Sequence, residues 1–332
     1  MQRWLSPGGG SGGDRESSDG AVALRGPQAS RRRRNKVKAA SFAYHRAESK
    51  EEAVSLLSEH GDDAKVLAGG QSLIPMMNLR LARPSRLIDI GHCPELAQLE
   101  RVGGTLACGA TVRHVRFERA DAPELAACRA LSDAARLIGH APIRSRGTIG
   151  GSLAHGDSSS EWCLMMLVLD AVIQAESGRG VRRIPAHDFF QGFFTTALAE
   201  DELLSAIELP LTTVGSALAE HSRRRGDFAI VAAATRLVAD QRLRVTTARI
   251  AMGGVASQPI RMPSAEDVLH GVDLTDRRST MEAVSEAAHM CAASIQVSDD
   301  IHASSQYRRR LASTLVRQAL SRSAQDWRTA GD

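Results

Sequence analysis

The chain has 332 residues, of which 43% are hydrophobic, and its 42 basic and 38 acidic side chains give a formal net charge of +4. This length and apolar content suffice for two or three folded units with full cores. Aromatic residues make up only 4%, too few to favour base stacking, and the basic excess is concentrated in residues 31–38. We therefore expect no nucleic-acid partner.

The N-terminal half is predicted to begin with a disordered tail and then to fold. Residues 1–40 are rich in Gly, Ser and Arg, a composition that buries little apolar surface. Ser49 and Glu52 have capping-box spacing before an apolar helical face. Strands are predicted over 64–67 and 87–90, with a short helix over 74–81 between them. Together these elements predict a βαβ-like unit.

The remaining elements follow in chain order. Residues 123–140 predict an amphipathic helix, 162–169 a buried helix, and 171–176 with 181–184 a hairpin. A boundary is predicted near 210–214. Beyond it, strands are expected over 237–240 and 243–252, and helices over 281–295 and 303–319.

The spacing of the cysteines and the length of the apolar runs indicate whether the chain holds a metal site or crosses a membrane. The five cysteines are isolated, with no Cys-x-x-Cys pair, so neither a zinc site nor an iron–sulfur cluster is predicted in this chain. The apolar run over 163–169 is far shorter than the ~20 residues of a membrane span. His155 and Asp157 lack a third metal ligand nearby in sequence. We expect a cytoplasmic protein with reduced thiols, no membrane span and no metal.

Two glycine pairs about eighty positions apart are the main functional signal. The first glycine loop is Ala68-Gly69-Gly70-Gln71-Ser72-Leu73, directly after a predicted strand. The second is Thr148-Ile149-Gly150-Gly151-Ser152. Adjacent glycines let a ligand lie against main chain, and successive N–H groups form a nest suited to phosphate oxygens. A diphosphate held from two sides, as in a dinucleotide-type cofactor, is one interpretation.

Neither glycine pair belongs to the two most familiar phosphate-binding motifs. No lysine follows either pair as a P-loop requires, and neither pair has the spacing of a Rossmann turn. Ordinary tight turns remain an equal alternative on the residues alone, since the chain has 28 glycines.

Three ordered segments resemble one family. Residues 68–90, residues 144–157 and the segment Arg223-Arg-Arg-Gly-Asp-Phe-Ala-Ile-Val231 are similar to the molybdenum hydroxylase flavoproteins. That family includes the medium subunit of carbon monoxide dehydrogenase and the FAD portion of xanthine dehydrogenase. The resemblance extends from about residue 41 to about residue 320.

The resemblance implies a fold and a domain division. The expected fold class is α+β, with a VAO/PCMH-type FAD-binding fold of two α+β subdomains and a C-terminal α+β domain of the CO dehydrogenase flavoprotein type. The FAD-binding domain is expected over 41–213, with subdomains at about 41–92 and 93–213. The C-terminal domain is expected over 214–325.

The resemblance also implies site residues. Ala68, Gly69, Gly70, Gln71, Ser72 and Leu73 would hold the FAD pyrophosphate through amides and the Ser72 hydroxyl. Thr148, Ile149, Gly150, Gly151 and Ser152 would close on FAD from the other side. Asp157 and Glu161 would lie near ribose or ribityl hydroxyls, although Ser158 replaces a proline that is frequent in the family. No acid–base catalytic residue is predicted, because the cofactor supplies the chemistry.

The implied function is an FAD-binding electron-transfer subunit of a molybdenum hydroxylase complex. Its expected partners are an iron–sulfur small subunit and a molybdenum-cofactor large subunit, in a heterotrimer that can itself dimerise, together with an external electron acceptor. Two alternatives are a stand-alone NAD(P)H-dependent flavin oxidoreductase and a scaffold subunit that has lost FAD.

Overall fold

The computed structural model describes residues 38–119, 125–210 and 212–330. The tail expected to be disordered lies almost wholly outside these residues, as does the start of the helix predicted at 123. Within the described ranges, no helix is both long and apolar enough to cross a membrane.

Strands and helices alternate along the described chain. The strands are β1 Ala43–Arg46, β2 Ala64–Leu67, β3 Arg86–Asp89, β4 Leu99–Val102, β5 Thr105–Gly109, β6 Val172–Ser177, β7 Gly180–Pro185, β8 Phe190–Gly192, β9 Thr195–Thr196, β10 Leu203–Pro210, β11 Ser216–His221, β12 Val231–Ala239, β13 Val245–Gly253 and β14 Ile260–Arg261. The α-helices are α1 Lys50–His60, α2 Leu73–Asn78, α3 His114–Phe117, α4 Arg129–Leu137, α5 Ala141–Arg146, α6 Ile149–His155, α7 Glu161–Val168, α8 Ala186–Phe189, α9 Pro263–Asp267, α10 Arg277–Ser294 and α11 Ser305–Ala330.

A small parallel sheet carries the first glycine loop. Its strand order is β1-β3-β2, and β2 pairs with β3 in parallel, which confirms the βαβ-like unit. The predicted capping box is present: the Ser49 hydroxyl accepts from the Glu52 N–H at 3.1 Å, and the Glu52 carboxylate accepts from the Glu48 N–H at 2.8 Å. The first glycine loop therefore lies between the end of β2 and the start of α2.

A five-stranded antiparallel sheet, in the order β4-β5-β10-β6-β7, supports the second glycine loop, since α6 packs against β10. The predicted hairpin is confirmed, with Ser177 opposite Gly180 at its turn. Helix α7 is buried along almost its whole length because α4 lies on one side and β12 and β13 lie on the other. This helix therefore joins the core of the N-terminal region to the C-terminal region.

The C-terminal region is a four-stranded antiparallel sheet covered by two helices. Its order is β11-β12-β13-β14, and α11 packs on β11, β12 and α10. The predicted strands and helices are all present, but β12 begins earlier, at Val231, and α11 continues to Ala330. Burial of one face of β12 and β13 against the helices accounts for this region's own hydrophobic core.

One predicted helix is shorter than expected. The structure forms α4 only over Arg129–Leu137, and residues 120–124 are outside the described part. Ala126, expected to pack, is exposed, whereas Leu125 and Cys128 are buried ahead of the helix. The apolar spacing correctly predicted that Leu125 and Cys128 are buried in the core. These two residues lie in a turn that precedes the helix, however, and not in the helix itself.

Arg308 on α11 fastens the helix to the sheet. Its Nη1 donates to the carbonyls of Ile230 at 2.8 Å and Gly254 at 2.9 Å, and its Nη2 lies 2.5 Å from the Asp300 carboxylate. The side chain is buried. Charged hydrogen bonds of this kind are strong, and their loss leaves two half-buried carbonyls without this donor.

An Arg308→Ala protein is expected to lose about 2 kcal/mol of unfolding free energy, because two half-buried carbonyls and a partly exposed carboxylate lose their donor. Chemical denaturation would measure this. Arg317→Ala, at an exposed position of the same helix, is the matched control and should change stability by less than about 0.5 kcal/mol. Equal, small effects of both substitutions would contradict the role assigned to Arg308.

Candidate functional site

The two glycine loops meet in the folded chain. A Cβ added to Gly69 would lie 2.4 Å from the Arg146 carbonyl oxygen and 2.7 Å from the Gly147 Cα. A Cβ on Gly151 would lie 3.7 Å from the Ala68 Cβ. Only residues without side chains permit backbone contact as close as that at Gly69. The structure thus brings together the two segments that lie eighty positions apart in sequence.

The first glycine loop presents a row of free donors. The backbone N–H groups of residues 69–72 have no hydrogen-bond partner among the described residues. The loop is nevertheless held in place: Gln71 Nε2 donates to the Gly69 carbonyl at 3.0 Å, and the Ile74 N–H donates to the Gly70 carbonyl at 3.1 Å. Gly70 has a φ of +69°, which turns the chain into this concave shape.

The second glycine loop is different because its amides are already bonded. The N–H groups of Ile149 and Gly150 donate to the carbonyls of Val112 and Ala110, both at 3.0 Å. The Thr148 hydroxyl accepts from the Gly151 N–H at 3.1 Å and so caps α6. A Cβ on Gly150 would lie 2.6 Å from the Ala110 Cβ. Gly150 is therefore a packing glycine, and Gly151 is the residue that faces the first loop.

A buried histidine, His114, contacts the chain directly before the second loop. Trp162 Nε1 donates to His114 Nδ1 at 2.9 Å, and both side chains are buried. A Cβ on Gly147 would lie 2.6 Å from His114 Nε2, and the His114 N–H donates to the Gly147 carbonyl at 3.0 Å. Burial, with a smaller effect of Arg144, lowers the pKa of His114 to about 4. The imidazole is therefore neutral at pH 7.

Acidic and hydroxyl side chains continue from the second loop. Asp157 Oδ1 accepts from the Ser159 N–H at 2.9 Å and from its hydroxyl at 2.8 Å. The Ser152 and Ser160 hydroxyls are 2.8 Å apart, which ties the loop to the start of α7. Glu161 is the first residue of α7, and burial raises its pKa to about 8.

Several charged or polar residues in the segments that resemble the family either have contacts elsewhere or are exposed. Arg144 is paired with the Glu118 carboxylate and donates to two backbone carbonyls, so it supports the local chain. His155 stacks on the Phe194 ring with centroids 4.6 Å apart. Arg225 and Asp227 are exposed. Among the described residues, no three metal-ligating side chains converge.

Two polar residues that interact with the second loop or with the start of α7 were not predicted from the sequence. His114 lies alone in sequence, and only its contact with Trp162, 48 positions away, reveals it. Glu220 lies on β11, and its Oε2 is buried without a hydrogen-bond partner within the described ranges. Neither position has a local motif, since each depends on contacts between distant segments.

The donor set and the shape fit a diphosphate. The N–H groups of residues 69–72 have no partner within the described ranges, and the first loop contacts Gly147 and approaches Gly151. Phosphate oxygens accept several backbone hydrogen bonds and need such close approach. These features define an α+β protein with a candidate site for a diphosphate-containing cofactor.

Comparisons with known proteins identify the family. The sequence model for the FAD binding domain in molybdopterin dehydrogenase matches residues 40–212, and that for the CO dehydrogenase flavoprotein C-terminal domain matches residues 216–323. The chain belongs to the molybdenum hydroxylase flavoproteins, as an FAD-binding medium subunit and thus an FAD-dependent oxidoreductase subunit. The VAO/PCMH-type fold with its C-terminal domain is confirmed.

Individual relatives agree with this assignment. The nicotine 6-hydroxylase medium subunit of Paenarthrobacter nicotinovorans is 41% identical over 290 residues, covering 86% of this chain and 98% of the relative. The carbon monoxide dehydrogenase medium chain of Hydrogenophaga pseudoflava is 35% identical, covering 84% and 96%. A solved carbon monoxide dehydrogenase from that organism matches with a TM-score of 0.81 at 35% identity, covering 87% of this chain and 99% of that one.

Proposed function

We propose that this medium subunit transfers electrons within a molybdenum hydroxylase complex, its FAD linking iron–sulfur clusters on a small subunit to an external acceptor. A large subunit with the molybdenum cofactor would oxidise the substrate. FAD, when bound, supplies both one-electron and two-electron redox chemistry. The relatives are named as medium subunits or chains of such enzymes, which supports a complex of this kind.

The observation that carries the cofactor site is the set of backbone amides without a partner in the described chain, on a loop that contacts the segment of the second glycine loop. We assign the pyrophosphate to residues 68–73, whose N–H groups at 69–72 have no partner within the described chain. Residues 148–152 form the facing wall, where Gly151 is the close-approach residue and Thr148 fixes the turn. Here the second loop contributes shape and the first contributes hydrogen bonds.

The more distant groups complete this assignment. Asp157 and Glu161 are proposed to face the hydroxyl-bearing part of FAD, because both follow the second loop and a carboxyl group, ionised or neutral, can accept a hydrogen bond from a hydroxyl. The proposed division of the chain is a tail over 1–40, an FAD-binding domain over 41–213 with subdomains near 41–92 and 93–213, and a C-terminal domain over 214–325. Glycine at 253 supports close contact across that division, since a Cβ there would lie 2.5 Å from the Ser158 carbonyl oxygen.

Ser72→Ala is expected to weaken FAD binding by about tenfold, because one hydroxyl hydrogen bond to a charged oxygen is lost while the amides remain. Fluorescence titration of FAD into the apoprotein measures this. Ser55→Ala, at an exposed position on α1, is the control. A Ser72→Ala protein with unchanged affinity would remove the hydroxyl from the proposed site.

The purified chain tests the broader function directly. Its visible spectrum should be that of a flavin, and heat should release FAD. Reduction of that flavin by substrate should require both partner subunits. Rapid reduction by NAD(P)H alone would instead favour a stand-alone oxidoreductase. A folded, colourless chain that takes up no added FAD would favour a scaffold subunit and contradict the proposal.

A further inference from the structure

Glu220 and Glu161 come from opposite sides of the contact between the C-terminal sheet and α7. In the sheet register Glu220 pairs with Ala232, and Ala232 pairs with Gly253, so the three residues share one face. Gly253 on that face packs against Ser158 and Leu164. The Glu220 side chain is therefore directed toward the segment that contains Glu161.

The two carboxyl groups interact in a poorly solvated place. Glu220 Oε2 is buried and has no hydrogen-bond partner within the described part of the chain. Burial raises the pKa of Glu220 to about 7, and burial together with the charge of Glu220 raises that of Glu161 to about 8. Asp157, on the preceding loop, acts on Glu161 in the same direction. The Cys163 thiol nearby is neutral, because burial raises its pKa.

Two like charges that interact away from water are costly, and a neutral carboxyl relieves that cost because it can donate a hydrogen bond as well as accept one. Groups coupled in this way titrate as a pair. The pair is also connected to the proposed flavin site, since Ser160, next to Glu161, contacts Ser152 of the second glycine loop.

We propose that Glu220 is a positioning residue of the flavin site, whose charge acts on Glu161 so that FAD binds best when the pair carries one negative charge or none. This inference rests on the proposed FAD site. FAD brings a negative diphosphate and removes water from the site, and both effects oppose the second ionisation of the pair. Binding should therefore take up protons at pH 8.

The experiment is a set of FAD titrations of the apoprotein between pH 6 and pH 9 at constant ionic strength. For the native chain we expect the Kd to rise by about tenfold across this range, equivalent to about one unit of pKa coupling. Glu220→Gln keeps the shape and cannot ionise, so its Kd should change by less than about threefold. Glu286→Gln, at an exposed position of α10, should behave like the native chain. A pH-independent native Kd, or full pH dependence in Glu220→Gln, would overturn the inference.

Unfolding of the apoprotein separates this inference from the proposed function. Because the folded chain holds the pair's protons more tightly than the unfolded chain, stability should fall as pH rises from 6 to 9. Glu220→Gln should show a smaller fall. If the native chain bound no FAD at any pH, the proposed function would fail. The carboxyl pair would still be supported if stability fell between pH 6 and pH 9 and Glu220→Gln reduced that fall. A native fall that Glu220→Gln leaves unchanged would refute the pair itself.

Discussion

A Gly69→Val protein should fold but lose FAD, with an affinity at least about a hundredfold lower than that of the native chain. The new Cβ would lie 2.4 Å from the Arg146 carbonyl oxygen and 2.7 Å from the Gly147 Cα. Both are backbone atoms, which cannot rotate away as a flexible side chain can. The loop must shift, and with it the free N–H groups at 69–72 that are proposed to bind the pyrophosphate. Losing two such charged hydrogen bonds, at about 1.5–3 kcal/mol each, accounts for the expected change.

The measurement is the ratio of flavin to protein after purification, followed by titration with added FAD. Gly104→Ala provides the control, because no atom lies within 4 Å of its added Cβ. That protein should retain the native flavin content. Circular dichroism would establish that Gly69→Val is folded. Native-like FAD affinity in the folded Gly69→Val protein would show that the first glycine loop is not the cofactor site.

The His114→Leu protein is expected to be less stable than the native protein at pH 7. Its stability is also expected to depend less on pH. Removing the acceptor leaves the buried Trp162 Nε1–H unpaired, at a cost of about 1–3 kcal/mol. The native imidazole has its pKa lowered to about 4, below that of the unfolded chain. The unfolded chain thus binds more protons between pH 6.5 and pH 4, and native stability falls by about 3 kcal/mol on acidification through this window.

Denaturation at pH 7 and at pH 4 tests both parts of this expectation. The free energies of unfolding of the native and His114→Leu proteins should differ less at pH 4 than at pH 7. Only the native chain has an imidazole that can be protonated at this position. His187→Ala, at an exposed position, should follow the native curve. A stability difference that stays constant on acidification would mean that the folded chain tolerates a charged His114, and one that widens would mean that it favours the charged form.

Local sequence signals were sufficient for much of the fold. The capping box at Ser49 and Glu52, the glycine-paired turn of the first loop and the apolar helix at 162–169 depend on neighbours in sequence, and all three are present. The family resemblance implied that both loops bind the cofactor. Helix α4 was predicted too long, since apolar spacing continues through the turn that carries Leu125 and Cys128.

The sequence did not reveal what depends on contacts between distant segments. The two loops appeared equivalent as glycine pairs, yet only the second has its amides bonded, because Val112 and Ala110 face it. The hydrogen bond between His114 and Trp162 and the burial of the Glu220 carboxyl group have the same origin. Each requires the register of a sheet or the packing of a helix before its chemistry can be recognised.

The bonds that hold the first glycine loop affect how the cofactor would be captured. The carbonyls of Gly69 and Gly70 are bonded to Gln71 and Ile74, so the turn keeps its shape while its N–H groups stay free. Fixing a backbone residue costs about 1–2 kcal/mol in conformational entropy, and here folding has already met that cost. An incoming diphosphate would displace water from a preorganised surface, and little of its interaction energy would be spent on ordering the chain.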